Sequence, residues 1–352
     1  FGCDMKNITV DGVAINDSSH CYVIAEIGHN HQGNLDKAKE LFRVAKDCGV
    51  DAVKLQKRNN RQLYTRKMYD MIYDNPNSFG DTYGKHREAL EFGKDEYQEL
   101  QAYAKELGVT MFATPFDFDS ADFLEELDMP AYKIASGDLT NTPLQKYVAE
   151  FGKPMFLSTG GGSLEDVKRA YHTIMPINPQ LCIMQCTASY PAQVDELNLN
   201  VINRYRTQFP DAVIGLSDHQ NGIVMSVVAF MLGVRVIEKH FTLDHTLKGT
   251  DHAFSLQPDG MRRLVRDLRR VPVALGSAEK APLEVERKPL LKMGKKLVAA
   301  RPLTAGQILT REDIAIRSPG DGLPPYELDK VLGKALTRGL EVDDNISFDL
   351  LK

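Results

Sequence analysis

The sequence predicts an α/β chain, a (β/α)8 TIM barrel followed by a small β-rich domain, and three observations carry that prediction. Short β-branched runs alternate with amphipathic helical runs eight times. Nearly every such run ends in a side chain able to do chemistry. Past about Gly276 the alternation stops and short strand-like pieces with turns take over. Strands alternating with helices imply parallel βαβ units, and eight of them close a barrel whose active rim is the C-terminal one. A chain of 352 residues comfortably holds a barrel and a second, smaller unit.

In chain order, strands are predicted over 21–27, 52–56, 109–113, 131–135, 155–158, 181–186, 213–216 and 234–240. Helical periodicity fills the intervals, as in 35–48, where Leu35, Ala38, Leu41, Phe42 and Ala45 line one face. Residues 96–107, 164–175, 221–232 and 259–274 read the same way. Ser163 precedes one helix, and Gly49, Gly108 and Gly233 each follow one, the expected start and stop punctuation. Residues 59–94 interrupt the second βα unit with polar text rich in Tyr and Arg, and an insertion of that length usually shapes a site. The barrel is assigned to 1–277, a charged, proline-punctuated linker to 278–296, and the small β-rich domain to 297–352.

Composition narrows the function classes. The chain is 43% hydrophobic and 26% charged, ordinary for a globular protein. A net charge of -5 without a long run of one sign argues against a nucleic-acid scaffold. No apolar stretch approaches the ~20 residues of a membrane span, so no membrane partner is expected. The opening FGCDMKNITVDG has neither a basic start nor an apolar core, unlike a secretory signal. Five cysteines without a tight pattern suit a reducing cytoplasm. Cys182 and Cys186, four apart on one strand, face the same way and read as buried apolar thiols in preference to metal ligands.

The strand ends carry the chemistry. IGLSDH and VRVIEKH both stop at a histidine, His219 and His240, each closely preceded by an acid, Asp218 or Glu238. Consecutive parallel strands would bring both imidazoles to one rim, a divalent-metal pattern. The remaining ends offer Glu26, Lys54, Gln56, Thr114, Lys133, Ser136, Ser158, Thr159, Thr187, Tyr190 and Ser217. Lys54 and Lys133 sit inside apolar strands, where an ammonium needs an anionic partner. Either they pair with Glu26 or Glu238, or they neutralise the phosphate or carboxylate of a ligand. Lysines and hydroxyls at one mouth suit a small, multiply charged anion. STGGG, 158–162, ends a strand before a helix and offers backbone N–H groups to a phosphate. HNHQG presents His29 and His31 as a metal pair or as polar loop residues. Glu26, Glu238 and Asp251 complete a proton-transfer set.

These strings resemble the sialic acid synthase family of N-acetylneuraminate and related nonulosonate synthases. The matching pieces are VIAEIGHNHQG, DAVKLQK, FATPFD, YKIASGD, PMFLSTG, QCTASYP, IGLSDH, EKHFTLD and KGTDHAFSL, in order, and the tail resembles the antifreeze-like (SAF) domain that closes the same family. The resemblance implies condensation of phosphoenolpyruvate with an N-acetylmannosamine-type sugar, releasing phosphate by C–O cleavage. It assigns the metal, typically Mn2+ with Mg2+ or Co2+ as alternatives, to His219 and His240. Phosphoenolpyruvate falls to Lys54, Thr114, Lys133, Ser136, Ser158 and Ser217. The sugar falls to Gln56, Tyr190, Glu238 and Asp251, with Glu26 near the reacting centre. A cytoplasmic, domain-swapped homodimer is expected, each SAF domain supplying an arginine over its partner's barrel.

Some positions depart from that pattern. Ala188 stands where bacterial members often carry an asparagine, which removes one expected phosphoenolpyruvate contact. The lid arginine usually lies directly before Pro-Gly; here the order is Arg317-Ser318-Pro319-Gly320, one residue displaced. Lys57, Arg58, Lys85, His86 and Arg87 are similar to the animal-type synthases, which take a 6-phosphorylated sugar. A solvated basic loop is the simpler account of them and is preferred at this point. Two other classes remain: a metal-dependent barrel hydrolase using His29, His31 and Lys133, and a non-catalytic sugar-acid binding protein.

Overall fold

A computed structural model describes residues 6–352; Cys3 and the first residues of the N-terminal reading lie outside the described residues. The chain divides into two compact units, Phe1–Leu275 and Gly276–Lys352. In the first, β1 (Asn7–Val10) and β2 (Val13–Asn16) form an antiparallel hairpin. Eight parallel strands then close a barrel: β3 (Tyr22–Gly28), β4 (Ala52–Lys57), β5 (Thr110–Pro115), β6 (Tyr132–Ile134), β7 (Met155–Ser158), β8 (Leu181–Cys186), β9 (Val213–Asp218) and β10 (Val236–His240). β10 returns to pair with β3 and completes the ring.

The pleat divides each strand's residues between two destinations. Outward residues such as Val23, Ala25, Val53, Leu55, Ile183 and Ile237 join the helices in one large apolar layer. Helix Leu35–Asp47 buries Ala38, Leu41, Phe42 and Ala45 against it, started by the Asn34 side chain accepting from Lys37 N–H. Inward residues change character along each strand. Near the N-terminal ends Tyr22, Ile24, Ala52, Phe112, Ala131, Phe156, Cys182, Val213 and Val236 pack with Ile8, Val10 and Ile15 of the hairpin, which plugs that mouth. Further along, the same inward series becomes Glu26, Lys54, Gln56, Thr114, Lys133, Ser158, Ser217, Glu238 and His240, and the polar rim is the result.

The hairpin was not among the predicted elements, although its signal is local. Asp11 and Gly12 sit at φ 46° and 78°, the backbone of a two-residue turn that Asp-Gly favours. Residues 59–94, predicted as an irregular insertion, form three short helices, Asn60–Leu63, Arg66–Tyr69 and Tyr83–Glu88. The predicted linker likewise contains a helix, Arg287–Met293.

The second unit pairs β11 (Lys296–Ala299) with β12 (Ile314–Arg317), joined by isolated antiparallel bridges. Leu297, Leu303, Leu309, Ile314, Val331, Leu336, Leu340 and Ile346 form its core. Asp313, fully buried, accepts from Thr310 N–H and O–H, from Arg301 and from Gln307. Among the described residues no helix is long and apolar enough to cross a membrane.

Candidate active site

A cavity of about 420 Å³ opens at the C-terminal ends of the barrel strands. Its lining includes every barrel residue that the family resemblance assigned to substrate, metal or proton transfer: Glu26, Lys54, Gln56, Thr114, Lys133, Ser136, Ser158, Tyr190, Ser217, His219, Glu238, His240 and Asp251. Thr159 and Thr187 are different. Their hydroxyls donate to the Met184 and Glu196 carbonyls, so they fasten loops. A larger cavity of about 920 Å³ alongside shares Cys186 and Ala188 but lacks the buried charges.

On the floor two ammonium groups and two carboxylates interlock. Lys54 Nζ lies 2.8 Å from Glu26 Oε2 and 3.9 Å from Glu238 Oε1. Lys133 Nζ lies 2.8 and 2.9 Å from the two oxygens of Glu238. The ion-pair reading of the lysines is therefore realised, and the residues still face the cavity. Lys54 also donates to Thr114 Oγ1 at 2.7 Å. Gln56 Nε2 donates to Glu26 Oε1 at 2.6 Å. Burial pushes the Glu26 carboxyl up despite Lys54, whereas at Glu238 burial is outweighed by Lys133 and Lys54, which hold it below its usual value. Two neighbouring carboxyls driven in opposite directions differ in how readily they take up a proton, Glu26 the more readily.

The hydroxyls ring this floor. Ser158 Oγ is buried without a partner, and Ser136 Oγ accepts from Gly160 N–H at 3.0 Å and donates to Cys186 Sγ at 3.6 Å. Thr159 N–H meets Met184 O and Gly162 N–H meets Thr159 O, so with Gly160 at least three of the STGGG backbone donors are already engaged. A Cβ on Gly160 would lie 2.8 Å from Ser136 Oγ and 2.9 Å from Ala188 Cβ, which keeps that turn glycine.

The two histidines face each other with ring centroids 5.3 Å apart, under Tyr190, whose ring stacks 4.3 Å from His219. His219 Nδ1 donates to Thr187 O at 2.9 Å, which turns Nε2 toward the cavity. His240 Nδ1 lies 3.5 Å from Asp251 Oδ2, and burial favours the neutral ring. Two facing imidazoles, that of His219 oriented from behind by Thr187 O and that of His240 with its Nδ1 lacking a hydrogen-bond partner, could hold a divalent ion whose remaining ligands are water or substrate. Among the described residues no group of three or more His, Cys, Asp or Glu is arranged around one point. Asp218, although adjacent to His219, points outward and pairs with the buried Lys239 at 3.0 Å.

Several expectations are corrected. Cys182 packs inside the barrel, but Cys186 lines the cavity, 3.9 Å from His219 Nδ1 and 3.6 Å from Ser136 Oγ, so it is no mere packing thiol. His29 and His31 form no metal pair: His31 Nδ1 accepts from Gly33 N–H and its ring stacks on Phe92, while His29 lies between Arg58 and Arg87. The five basic residues read as a solvated loop are not uniformly solvated, because Arg58 is buried. Lys85 is exposed beside Asp81, as a solvated loop predicts. His86 is buried, with Nδ1 accepting from Phe79 N–H. Arg317, at the end of β12 in the second unit, pairs with Asp343. Arg58, Arg87, Phe116 and Cys186 line the cavity without having been assigned to the site.

A barrel with paired charges on its floor and two oriented imidazoles at its rim defines a class of enzymes acting on small anionic substrates at strand ends. Within that class, the NeuB family model matches residues 41–280 and the SAF domain model residues 296–352, and the chain belongs to the NeuB family. It is 42% identical over 332 residues to N-acetylneuraminate-9-phosphate synthase of Homo sapiens, covering 94% of this chain and 92% of that one. It is 33% identical to N,N'-diacetyllegionaminic acid synthase of Legionella pneumophila, covering 98% of each. The crystal structure of N-acetylneuraminic acid synthetase from Leptospira borgpetersenii superposes with a TM-score of 0.70 at 29% identity, covering 81% of this chain and 95% of that one.

Proposed function

We propose that the enzyme condenses phosphoenolpyruvate with the open-chain form of an N-acylhexosamine, giving a nonulosonic acid and inorganic phosphate. The observation that carries this reading is the convergence, in one cavity of a NeuB-family barrel, of Lys54 and Lys133, the hydroxyls of Thr114, Ser136, Ser158 and Ser217, and the imidazoles of His219 and His240. Lys54, Lys133, Thr114, Ser136, Ser158 and Ser217 bind phosphoenolpyruvate, whose phosphate and carboxylate suit ammonium and hydroxyl donors. Gln56, Tyr190, Glu238 and Asp251 hold the sugar. Glu26, its carboxyl raised by burial, moves a proton at the reacting centre. His219 and His240 would hold a divalent cation, Mn2+ by preference, which when bound would supply Lewis-acid polarisation of the aldehyde. The enol C3 forms the new C–C bond to the aldehyde carbon. Water adds at C2, and the C2–O bond to phosphate breaks, so the leaving oxygen departs with the phosphate.

We further assign the enzyme to the cytoplasm, which the free thiols of Cys21, Cys48, Cys182 and Cys186 support. A homodimer with Arg317 over the partner's site is the arrangement we assign to the SAF domain. Exposed apolar side chains at Val224, Val228 and Met231 support a buried assembly surface. The test of the chemistry is consumption of phosphoenolpyruvate by the purified chain with a panel of N-acylhexosamines and their 6-phosphates. Turnover that requires both substrates supports it; hydrolysis of either alone refutes it.

A further inference from the structure

Lys239 is 1% exposed, and no step of the condensation uses it. Its ammonium donates to Asp218 Oδ2 at 3.0 Å and to Gln220 O at 2.5 Å. Asp218 is fully engaged in turn. Its Oδ2 also accepts from Ser226 O–H at 2.7 Å, and its Oδ1 accepts from Gln220 N–H at 2.9 Å. Ser226 belongs to helix Val224–Met231, so two strands and a helix meet at one buried charge pair. Such a pair adds little net stability, because the desolvation of both ions offsets most of their attraction. Apolar side chains would hold helix to sheet as well, so stability alone does not account for charges at this place.

The register does account for them. Asp218 and Lys239 are partners across β9 and β10, and theirs is the last pair of that ladder. The next residue on each strand is a histidine, His219 or His240. β10 keeps one further partner, because His240 pairs with Glu26 of β3. β9 ends at Asp218, so His219 stands past the sheet, its carbonyl accepting from Ala192 N–H at 3.1 Å. Lys239 holds the side chain of residue 218 and the carbonyl of residue 220, which brackets His219. It also directly precedes His240, whose own Nδ1 has no hydrogen-bond partner to fix the ring. One ammonium thus ties together the backbone beneath both imidazoles, whose centroids lie 5.3 Å apart. Ser217 and Glu238, one residue earlier, lie inside the ladder and keep their places without it.

We infer that Lys239 is a positioning residue: with Asp218 it fixes the separation of His219 and His240, and so the affinity of that pair for a divalent cation. The inference rests on the metal reading of the two histidines given above. Spacing matters because each ligating ring nitrogen must lie on the order of 2 Å from the ion. A strand end free to slide would satisfy one imidazole at the expense of the other. Groups behind metal ligands typically contribute about 10- to 100-fold in affinity.

The experiment uses Asp218→Asn/Lys239→Met in the full chain, which removes both charges together and strands neither. Mn2+ affinity, measured by calorimetric titration, is expected to weaken about 10- to 100-fold. Phosphoenolpyruvate affinity of the metal-free protein should stay within about 2-fold, as for independent sites, and unfolding should remain cooperative. A merely structural pair would move both affinities together. Unchanged Mn2+ affinity, or parallel loss of both ligands, overturns the inference. If the double variant does not fold, Asp218→Asn alone replaces a charge-assisted bond by a neutral one and should weaken Mn2+ binding about 3- to 10-fold. No change there overturns it equally. If the unmutated chain binds no Mn2+, the metal reading fails separately. Imidazole 15N resonances of the metal-free chain then decide the positioning role. Those of His219 and His240 should shift in the variant while those of the buried His31 and His86 stay, and unmoved His219 and His240 signals overturn it.

Discussion

Lys133 offers a perturbation whose size follows from the geometry. Its ammonium lies 2.8 and 2.9 Å from both oxygens of Glu238, and each side chain is 4% exposed. At an effective dielectric constant of about 20 the attraction at that distance is about 6 kcal/mol, much of it offset by the desolvation of both ions. Lys133→Met removes the ammonium and strands a buried carboxylate, a change that costs about 3–5 kcal/mol. Lys54, 3.9 Å from Glu238 Oε1, supplies partial compensation and places the expected cost near the low end, about 3 kcal/mol. The double variant Lys133→Met/Glu238→Gln removes both charges and should lie within about 1 kcal/mol of the unmutated chain. Denaturant unfolding of the two single variants and the double gives the coupling directly. A single variant costing under about 1 kcal/mol, or a double variant as destabilised as the two singles summed, refutes the charge balance drawn here.

The same set separates stability from binding. With folding restored, the double variant should still need far more phosphoenolpyruvate than Glu238→Gln alone, about 10- to 100-fold in KM, because one charge-assisted donor is missing. An equal effect on both substrates removes Lys133 from the anion pole.

Other outcomes are expected. Glu26 titrates above its ordinary value, and as a base it works only when ionised, so kcat/KM should fall as pH drops through a limb lying above about 4.3. A limb at or below that value contradicts the assignment, and Glu26→Gln should lower turnover at least about 100-fold. His219→Ala or His240→Ala should lose bound Mn2+, measured by metal analysis after gel filtration, with circular dichroism unchanged; retained metal refutes their role. In the second unit, Asp313 is held down to about 2, its hydrogen bonds from Thr310 and Arg301 outweighing its burial. A depressed carboxyl stabilises the fold above its unfolded value and loses that contribution as pH falls toward 2, here about 2–3 kcal/mol. Asp313→Ala should therefore lower the unfolding free energy of that unit by at least this amount at pH 7; an unchanged midpoint refutes it.

The barrel and most of its rim were legible because a period of two carries both. Once Glu26, Lys54, Thr114, Lys133, Ser158, Ser217, Glu238 and His240 fall at strand ends on the inward parity, closure into a ring does the rest. Partner choice was not legible. Lys133 and Glu238 are 105 residues apart, and whether an ammonium there meets a carboxylate or awaits a ligand depends on how strands separated in sequence meet across the barrel. The acid beside a histidine misleads for the same reason: Asp218 and His219 are neighbours in sequence but point to opposite faces of the sheet. Cys182 and Cys186 share a face but occupy different layers, one packed and one lining the cavity. Arg58 is the instructive case. It stands on the parity of Lys54 and Gln56, so alternation already aimed it inward, while the basic text of QKR and TYGKHR invited a solvated reading. Where strand parity and local polarity disagree, parity decides, because the pleat is set by backbone geometry and polarity only reports what that geometry must then satisfy.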